Sequence, residues 1–128
     1  MSCIRDSNRT VYTVGFKNGM FLMVWNPKRN GWEMPGGHIR EGESLSDAAT
    51  REYFEESGYT VDILALRDLG TCHVAAANIG KKPTGTVCEM DSRLFDKIPD
   101  ELFFDRDEYV NVIAWAHNVL TSFGKSTY

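Results

Sequence analysis

Gly37-His38-Ile39-Arg40-Glu41-Gly42-Glu43, followed after a short interval by Arg51-Glu52-Tyr53-Phe54-Glu55-Glu56-Ser57-Gly58-Tyr59, is the stretch that decides the fold. Between the two parts, Ser44 is a good N-cap, with Asp47 three residues on, close to a capping box. Gly58 stands where a left-handed C-terminal residue is wanted. The signals predict a helix over Leu45–Ser57. Glu52, Glu55 and Glu56 are three and four residues apart, so they share one helix face. At about 100° per residue, Leu45, Ala48 and Ala49 turn to the same side. That face is therefore not the obvious solvent face. Its alanines let the helix pack closely while the carboxylates look into a cleft.

The arrangement has a cost. Like charges at this spacing repel by roughly 0.2–0.5 kcal/mol per pair. All three lie near the negative end of the helix dipole, worth a further ~0.3–1 kcal/mol against each. A bound divalent cation reverses both effects, and clustered hard oxygen ligands suit Mg²⁺ or Mn²⁺ better than zinc. The alternative is a solvated acidic helix end with Arg51 paired to Glu55, and on the carboxylates alone the two readings stand level.

Working outward, Thr10–Phe16 alternates and is rich in β-formers, so it reads as a strand. Lys17-Asn18-Gly19 signals a turn, and Met20–Trp25 reads as the returning strand of a hairpin. Trp32–Met34 is a short strand stopped by Pro35-Gly36-Gly37. After the helix, Val61–Leu69, Thr71–Ala77 and Thr86–Phe95 read as strands, with a loop at Gly80–Thr84 and a loop-like Lys97–Phe104. A last helix starts at Asp105 with Glu108 as its box partner. Tyr109, Ile113, Ala116, Leu120 and Phe123 then form one apolar stripe. Mixed strands with two helices predict an α/β sandwich in one domain over residues 1–128.

Composition narrows the function. The chain has 42% hydrophobic and 25% charged residues and a net charge of -4. That balance does not suggest a general nucleic-acid binder, but it admits a small anionic substrate where cations neutralise the site. Met1–Thr10 lacks the apolar run of a signal peptide, and no segment is long enough to span a bilayer. Cys3, Cys72 and Cys88 form no CxxC pair, so the expectation is reduced thiols and a cytoplasmic location.

The stretch resembles the Nudix box, in which a glycine, a glutamate, Arg-Glu, Glu-Glu and a final glycine stand at set spacings. Gly37, Glu43, Arg51, Glu52, Glu55, Glu56 and Gly58 fill every one of those positions, and the match covers the 23 residues from Gly37 to Tyr59. Tyr53 and Tyr59 depart mildly, each in an aliphatic slot. Trp32-Glu33-Met34-Pro35-Gly36 also looks like the segment leading into the family's box. The resemblance implies an α/β/α sandwich with a mixed central sheet, and a metal-dependent pyrophosphohydrolase.

By resemblance, Glu52, Glu55 and Glu56 are the metal ligands, with Gly36 offering a backbone carbonyl to Mg²⁺ or Mn²⁺. Glu52 is the first choice of general base. Arg51 would orient a glutamate. Glu43 would pair with Arg51 or with metal-bound water, or serve as a helix N-terminal charge. Gly37 and His38 lie in the phosphate-facing loop. An outside carboxylate is sought among Glu89, Asp91, Glu101, Asp105 and Glu108, with Glu89 favoured. His73 reads as structural and Lys81 and Lys82 as a solvated turn. Trp25 and Trp32 are set between base stacking and core packing, with Trp115 in the core.

The partner implied is a nucleotide, with neither nucleic acid nor membrane, and a homodimer is allowed for. Markers that some Nudix groups carry after the box are missing from Val74-Ala75-Ala76-Ala77: the proline of ADP-ribose hydrolases and the tyrosine of dinucleoside polyphosphate hydrolases. What remains resembles the compact MutT-like type, which cuts nucleoside triphosphates, oxidised purine forms included, to monophosphate and pyrophosphate. The alternatives are an ADP-ribose or dinucleoside polyphosphate hydrolase, and a Nudix-like module that senses a nucleotide without cutting it.

Overall fold

A computed structural model describes residues 9–124, with side chains through residue 122. The elements in order are β1 (Thr10–Lys17), β2 (Met20–Asn26), β3 (Gly31–Glu33), β4 (Gly36–His38), α1 (Leu45–Ser57), β5 (Val61–Asp68), β6 (His73–Ile79), β7 (Asp91–Phe95) and α2 (Arg106–Gly124). One mixed sheet runs β3-β2-β1-β6-β5, with β4 paired to β1 and β7 to β2. β1 and β6 are parallel, and the other pairs are antiparallel.

Alternation along β1 builds the layers. Val11 turns toward α1, where it packs with Ala48, Ala49 and Ala75. Tyr12, Val14 and Phe16 turn the other way, onto Tyr109, Val112, Ala116 and Leu120 of α2. Two helices on opposite faces of a mixed sheet make the expected α/β/α sandwich. Gly15 is needed under α1, because a Cβ there would meet the Tyr53 hydroxyl at 2.5 Å. Tyr53 is fully buried, which fits a residue that packs rather than reacts. Asn18 and Gly19, at φ 53° and 78°, make the hairpin turn that joins β1 to β2.

Helix α1 has the predicted limits. Ser44 Oγ accepts from the Asp47 N–H at 3.0 Å, and Gly58 at φ 81° donates to the Phe54 carbonyl. At α2, Asp105 Oδ1 accepts from the Asp107 N–H. Glu108 accepts from the Tyr12 hydroxyl at 2.7 Å, a tie between β1 and α2 rather than a purely local cap. Phe123 and the segment 1–8, which includes Cys3, lie outside the residues whose side chains are described.

Several expectations are corrected. Gly36–His38 is a strand, not merely a stop: with no side chain at Gly36 the backbone lies against Val11 and Tyr12 of β1. The predicted strand Thr86–Phe95 begins only at Asp91. Thr86 bonds back to the Pro83 carbonyl, and the Glu89 and Met90 N–H groups donate to the Glu55 and Glu56 carbonyls at 3.0 and 3.1 Å. This segment caps α1 instead of pairing with a strand. Cys72 is buried and disulfide-bonded while Cys88 is free, which corrects the reduced-thiol expectation at Cys72. No helix among the described residues is long and apolar enough to cross a membrane.

Candidate active site

The box residues converge where β4 passes the buried face of α1. Glu56, on the last turn of α1, is 7% exposed, and its Oε1 accepts from the Gly36 N–H at 3.2 Å. Glu52 lies one turn earlier, over Gly37. A side chain at Gly37 would run into the Glu52 carboxylate, so glycine is what lets the loop and the carboxylate share this space.

Arg51 gathers the remaining carboxylates. Its Nε and Nη2 donate to both oxygens of Glu43 at 2.7 and 2.9 Å. Its Nη1 donates to Glu52 at 3.1 Å and to Glu55 at 3.3 Å, and Nη2 also reaches the His38 carbonyl at 3.0 Å. Glu43 closes the loop further by accepting from the Arg40 N–H. The bidentate pair to Arg51 holds the Glu43 carboxyl down at about 2. Glu55 is more open, with Arg40 at 3.7 Å.

The inner carboxylates behave oppositely. Burial pushes Glu56 up to about 8 against the Gly36 hydrogen bond, with Glu52, Glu33 and Glu89 adding repulsion. Burial also raises Glu52, opposed by Arg51 and assisted by Glu55 and Glu89. Among the described residues no group of three His, Cys, Asp or Glu side chains already surrounds one ion position. Arg51 occupies that role instead, drawing Glu52 and Glu55 to itself. The donor set nonetheless fits a hard divalent cation. All its donor atoms are oxygens, and burial raises the pKa of both Glu52 and Glu56, a penalty that a bound cation would offset.

That imbalance makes stability depend on pH. Below about pH 4.5 Glu56 is protonated both folded and unfolded and contributes nothing. Between about 4.5 and 8 the unfolded chain releases a proton that the fold retains, so the metal-free protein loses stability as pH rises, by at most ~1.4 kcal/mol per pH unit from this group. Glu52 and Glu33 shift the same way, whereas the contribution from Glu43 changes only below about pH 4.5. Melting temperatures of the metal-free protein should therefore fall from pH 5 to pH 8, and millimolar Mg²⁺ should restore more at pH 8 than at pH 5. A flat or rising profile without metal would contradict this assignment.

The structure brings Gly36, Gly37, Glu43, Arg51, Glu52, Glu55 and Glu56 together. His38 enters through its backbone carbonyl, and its side chain is exposed. His73, on β6, lies 3.8 Å from Asp68 of β5. Trp25 and Trp32 pack edge to face at 5.3 Å, with Arg93 over the Trp32 ring. Glu89 joins the cluster electrostatically from the capping loop, whereas Glu101 meets β3 through its backbone carbonyl. Glu89→Ala should then lower turnover well beyond Glu101→Ala. Equal rates in the two variants would remove Glu89 from the site.

Glu33 is a buried carboxylate that sequence reasoning did not single out. It is held by Asn26 at 3.1 Å and Arg29 at 3.3 Å. Its strand-alternation position opposite Trp32 was the available signal, since it points to the face where Glu56 lies.

The family model of the NUDIX domain matches residues 6–117, and the chain belongs to the Nudix family. Mouse "Nucleoside diphosphate-linked moiety X motif 6" is 29% identical over 85 residues, 66% of this chain and 27% of that protein. The chain spans between 23% and 35% of the length of the first curated relatives it matches. A Bacillus subtilis pyrophosphohydrolase structure superposes with TM-score 0.65 at 22% identity, covering 98% of this chain and 88% of that one. An ADP-ribose pyrophosphatase from Streptococcus suis gives 0.66 at 17% identity, covering 97% and 96%. At these identities the structural likeness is one of fold.

Proposed function

We propose that the protein is a divalent-cation-dependent pyrophosphohydrolase acting on a nucleoside diphosphate linked to a second group, and that its substrate is a (deoxy)nucleoside triphosphate. Water adds at a phosphorus of the chain, the anhydride P–O bond breaks, and monophosphate and pyrophosphate leave. The observation that carries the reading is the pairing of Glu56 with the Gly36 N–H inside a carboxylate cluster where burial raises the pKa of Glu56.

Bound cations would neutralise phosphate oxygens and acidify the attacking water. Glu52, Glu55 and Glu56 would hold them, with the Gly36 carbonyl. Glu52 would take the proton of the water, and its raised pKa brings it nearer the range where a carboxylate is an effective base. Arg51 would keep Glu43 and the His38 carbonyl in place as Glu52 and Glu55 turn toward the cations, and Gly37 and His38 would line the phosphate path.

Val74-Ala75-Ala76-Ala77 supports the triphosphate reading. These residues are fully buried in β6, so none offers a side chain to read an ADP-ribose or a dinucleotide. The test is a panel of nucleoside triphosphates, ADP-ribose and dinucleoside polyphosphates, with products identified. A triphosphate should lead by kcat/KM. Preference for ADP-ribose or a dinucleoside polyphosphate over every triphosphate would overturn the substrate assignment. No turnover with either Mg²⁺ or Mn²⁺ would leave the nucleotide-sensing module.

A further inference from the structure

Three consecutive residues ahead of the box are tied to three different parts of the fold. The Met34 N–H donates to the Tyr109 hydroxyl of α2 at 3.0 Å. The Pro35 carbonyl accepts from the Thr13 N–H of β1 at 3.0 Å. The Gly36 N–H donates to Glu56 of α1 at 3.2 Å. The segment thus passes from the α2 layer to the α1 layer in two peptide steps, and the last step aims a carboxylate of the proposed site.

The first anchor is unusually well defined. Tyr109 is 1% exposed and Met34 3% exposed, so water is poorly placed to substitute for the hydroxyl. The Tyr109 ring is held edge to face by Tyr12 at 5.7 Å and by Phe104 at 6.0 Å. Burial raises its pKa well above the ordinary tyrosine value, so the group stays a neutral hydroxyl. A rigid acceptor on one helix therefore fixes the backbone two residues before the N–H that orients a carboxylate on the other helix.

We propose that Tyr109 is a positioning residue for the reaction: its hydroxyl fixes Met34, and through Pro35 and Gly36 it sets the position of the Glu56 carboxylate. The proposal rests on the pyrophosphohydrolase reading above and adds a residue from outside the box to it. Removing the hydroxyl leaves a buried N–H without an acceptor, and the segment gains freedom to shift. Displacements of about 1 Å at a reacting centre suffice to cost on the order of 100-fold in rate. The groups displaced first are the proposed cation ligands Glu56 and the Gly36 carbonyl, so the loss falls on kcat and cation affinity far more than on KM.

Tyr109→Phe tests this beside Tyr12→Phe, which removes a neighbouring hydroxyl bonded to Glu108 and leaves the Met34–Gly36 hydrogen bonds untouched. Four quantities are read: melting temperature, kcat and KM on the best triphosphate, and the Mn²⁺ dissociation constant from the resonance of free Mn²⁺. Tyr109→Phe should lose roughly 10- to 100-fold in kcat with KM within about twofold, and should bind Mn²⁺ more weakly. Tyr12→Phe should lose melting temperature while keeping its kcat and Mn²⁺ affinity. Wild-type kcat and Mn²⁺ affinity in Tyr109→Phe overturn the proposal, whatever its melting temperature.

Should Tyr109→Phe fail to fold, amide exchange in the wild-type protein with Mg²⁺ decides. The Met34 amide should be protected as well as those of the β1–β6 ladder, and exchange as fast as in the exposed turn at Asn30 overturns the proposal. A wild-type protein that hydrolyses no nucleotide sinks the underlying reading instead, and the Mn²⁺ affinities then still judge Tyr109.

Discussion

Glu56→Gln is expected to lower kcat by at least about 100-fold while leaving the fold intact. The amide keeps an oxygen that can accept from the Gly36 N–H, so the local geometry survives. What is lost is the negative charge, and a neutral amide is a poor ligand for a hard cation. The same substitution removes the unfavourable ionisation of a buried carboxyl. The metal-free variant should therefore melt no lower than wild type at pH 8, and Mg²⁺ should raise its melting temperature less. Circular dichroism melts with and without Mg²⁺, run beside steady-state rates, separate the two effects. A variant that hydrolyses at the wild-type rate, or that melts far lower without metal, would make Glu56 a structural residue.

Gly36→Ala should damage stability and activity together. A Cβ at that position would stand 2.5 Å from the Val11 carbonyl oxygen and 2.6 Å from the Tyr12 Cα. Both are backbone atoms of the central strand, so the added carbon cannot be accommodated by turning a side chain. Overpacking of this kind costs ~1–3 kcal/mol, and the shift it forces also moves the N–H that holds Glu56. Gly37→Ala differs in kind. Its added carbon meets the end of the Glu52 side chain, which can swing aside, so stability should change little while turnover falls. Equal melting temperatures for Gly36→Ala and wild type would show that β4 does not lie against β1 as described.

Helix α1 was legible in full because its signals are local. Ser44 caps it, Gly58 ends it, and the three-and-four spacing of Glu52, Glu55 and Glu56 with Ala48 and Ala49 set its buried face. The division of labour among the carboxylates was not legible. That Arg51 reaches Glu43, Glu52 and Glu55 at once depends on how the loop 37–43 folds over the helix, which no spacing rule contains. Long-range pairing also hid β4, since two glycines read as a stop until β1 is alongside. The alternation through Glu89 and Met90 looks β-like in the sequence, yet the carbonyls at the end of α1 claim their N–H groups. Tyr109 appeared only as one member of an apolar stripe. Its hydroxyl acquires a role solely because α2 packs across the sheet from the box.

If the cluster around Gly36 and Glu56 binds divalent cations that drive phosphoanhydride hydrolysis, turnover depends on them. The most direct measurement is the rate of pyrophosphate release from nucleoside triphosphates as Mg²⁺ is titrated into protein first stripped with EDTA. No detectable turnover is expected without the cation, with saturating recovery on adding Mg²⁺ or Mn²⁺ and loss of that recovery in Glu56→Gln. Hydrolysis that persists in excess EDTA, or a Mg²⁺ response unchanged in Glu56→Gln, would contradict cation-driven hydrolysis at this cluster.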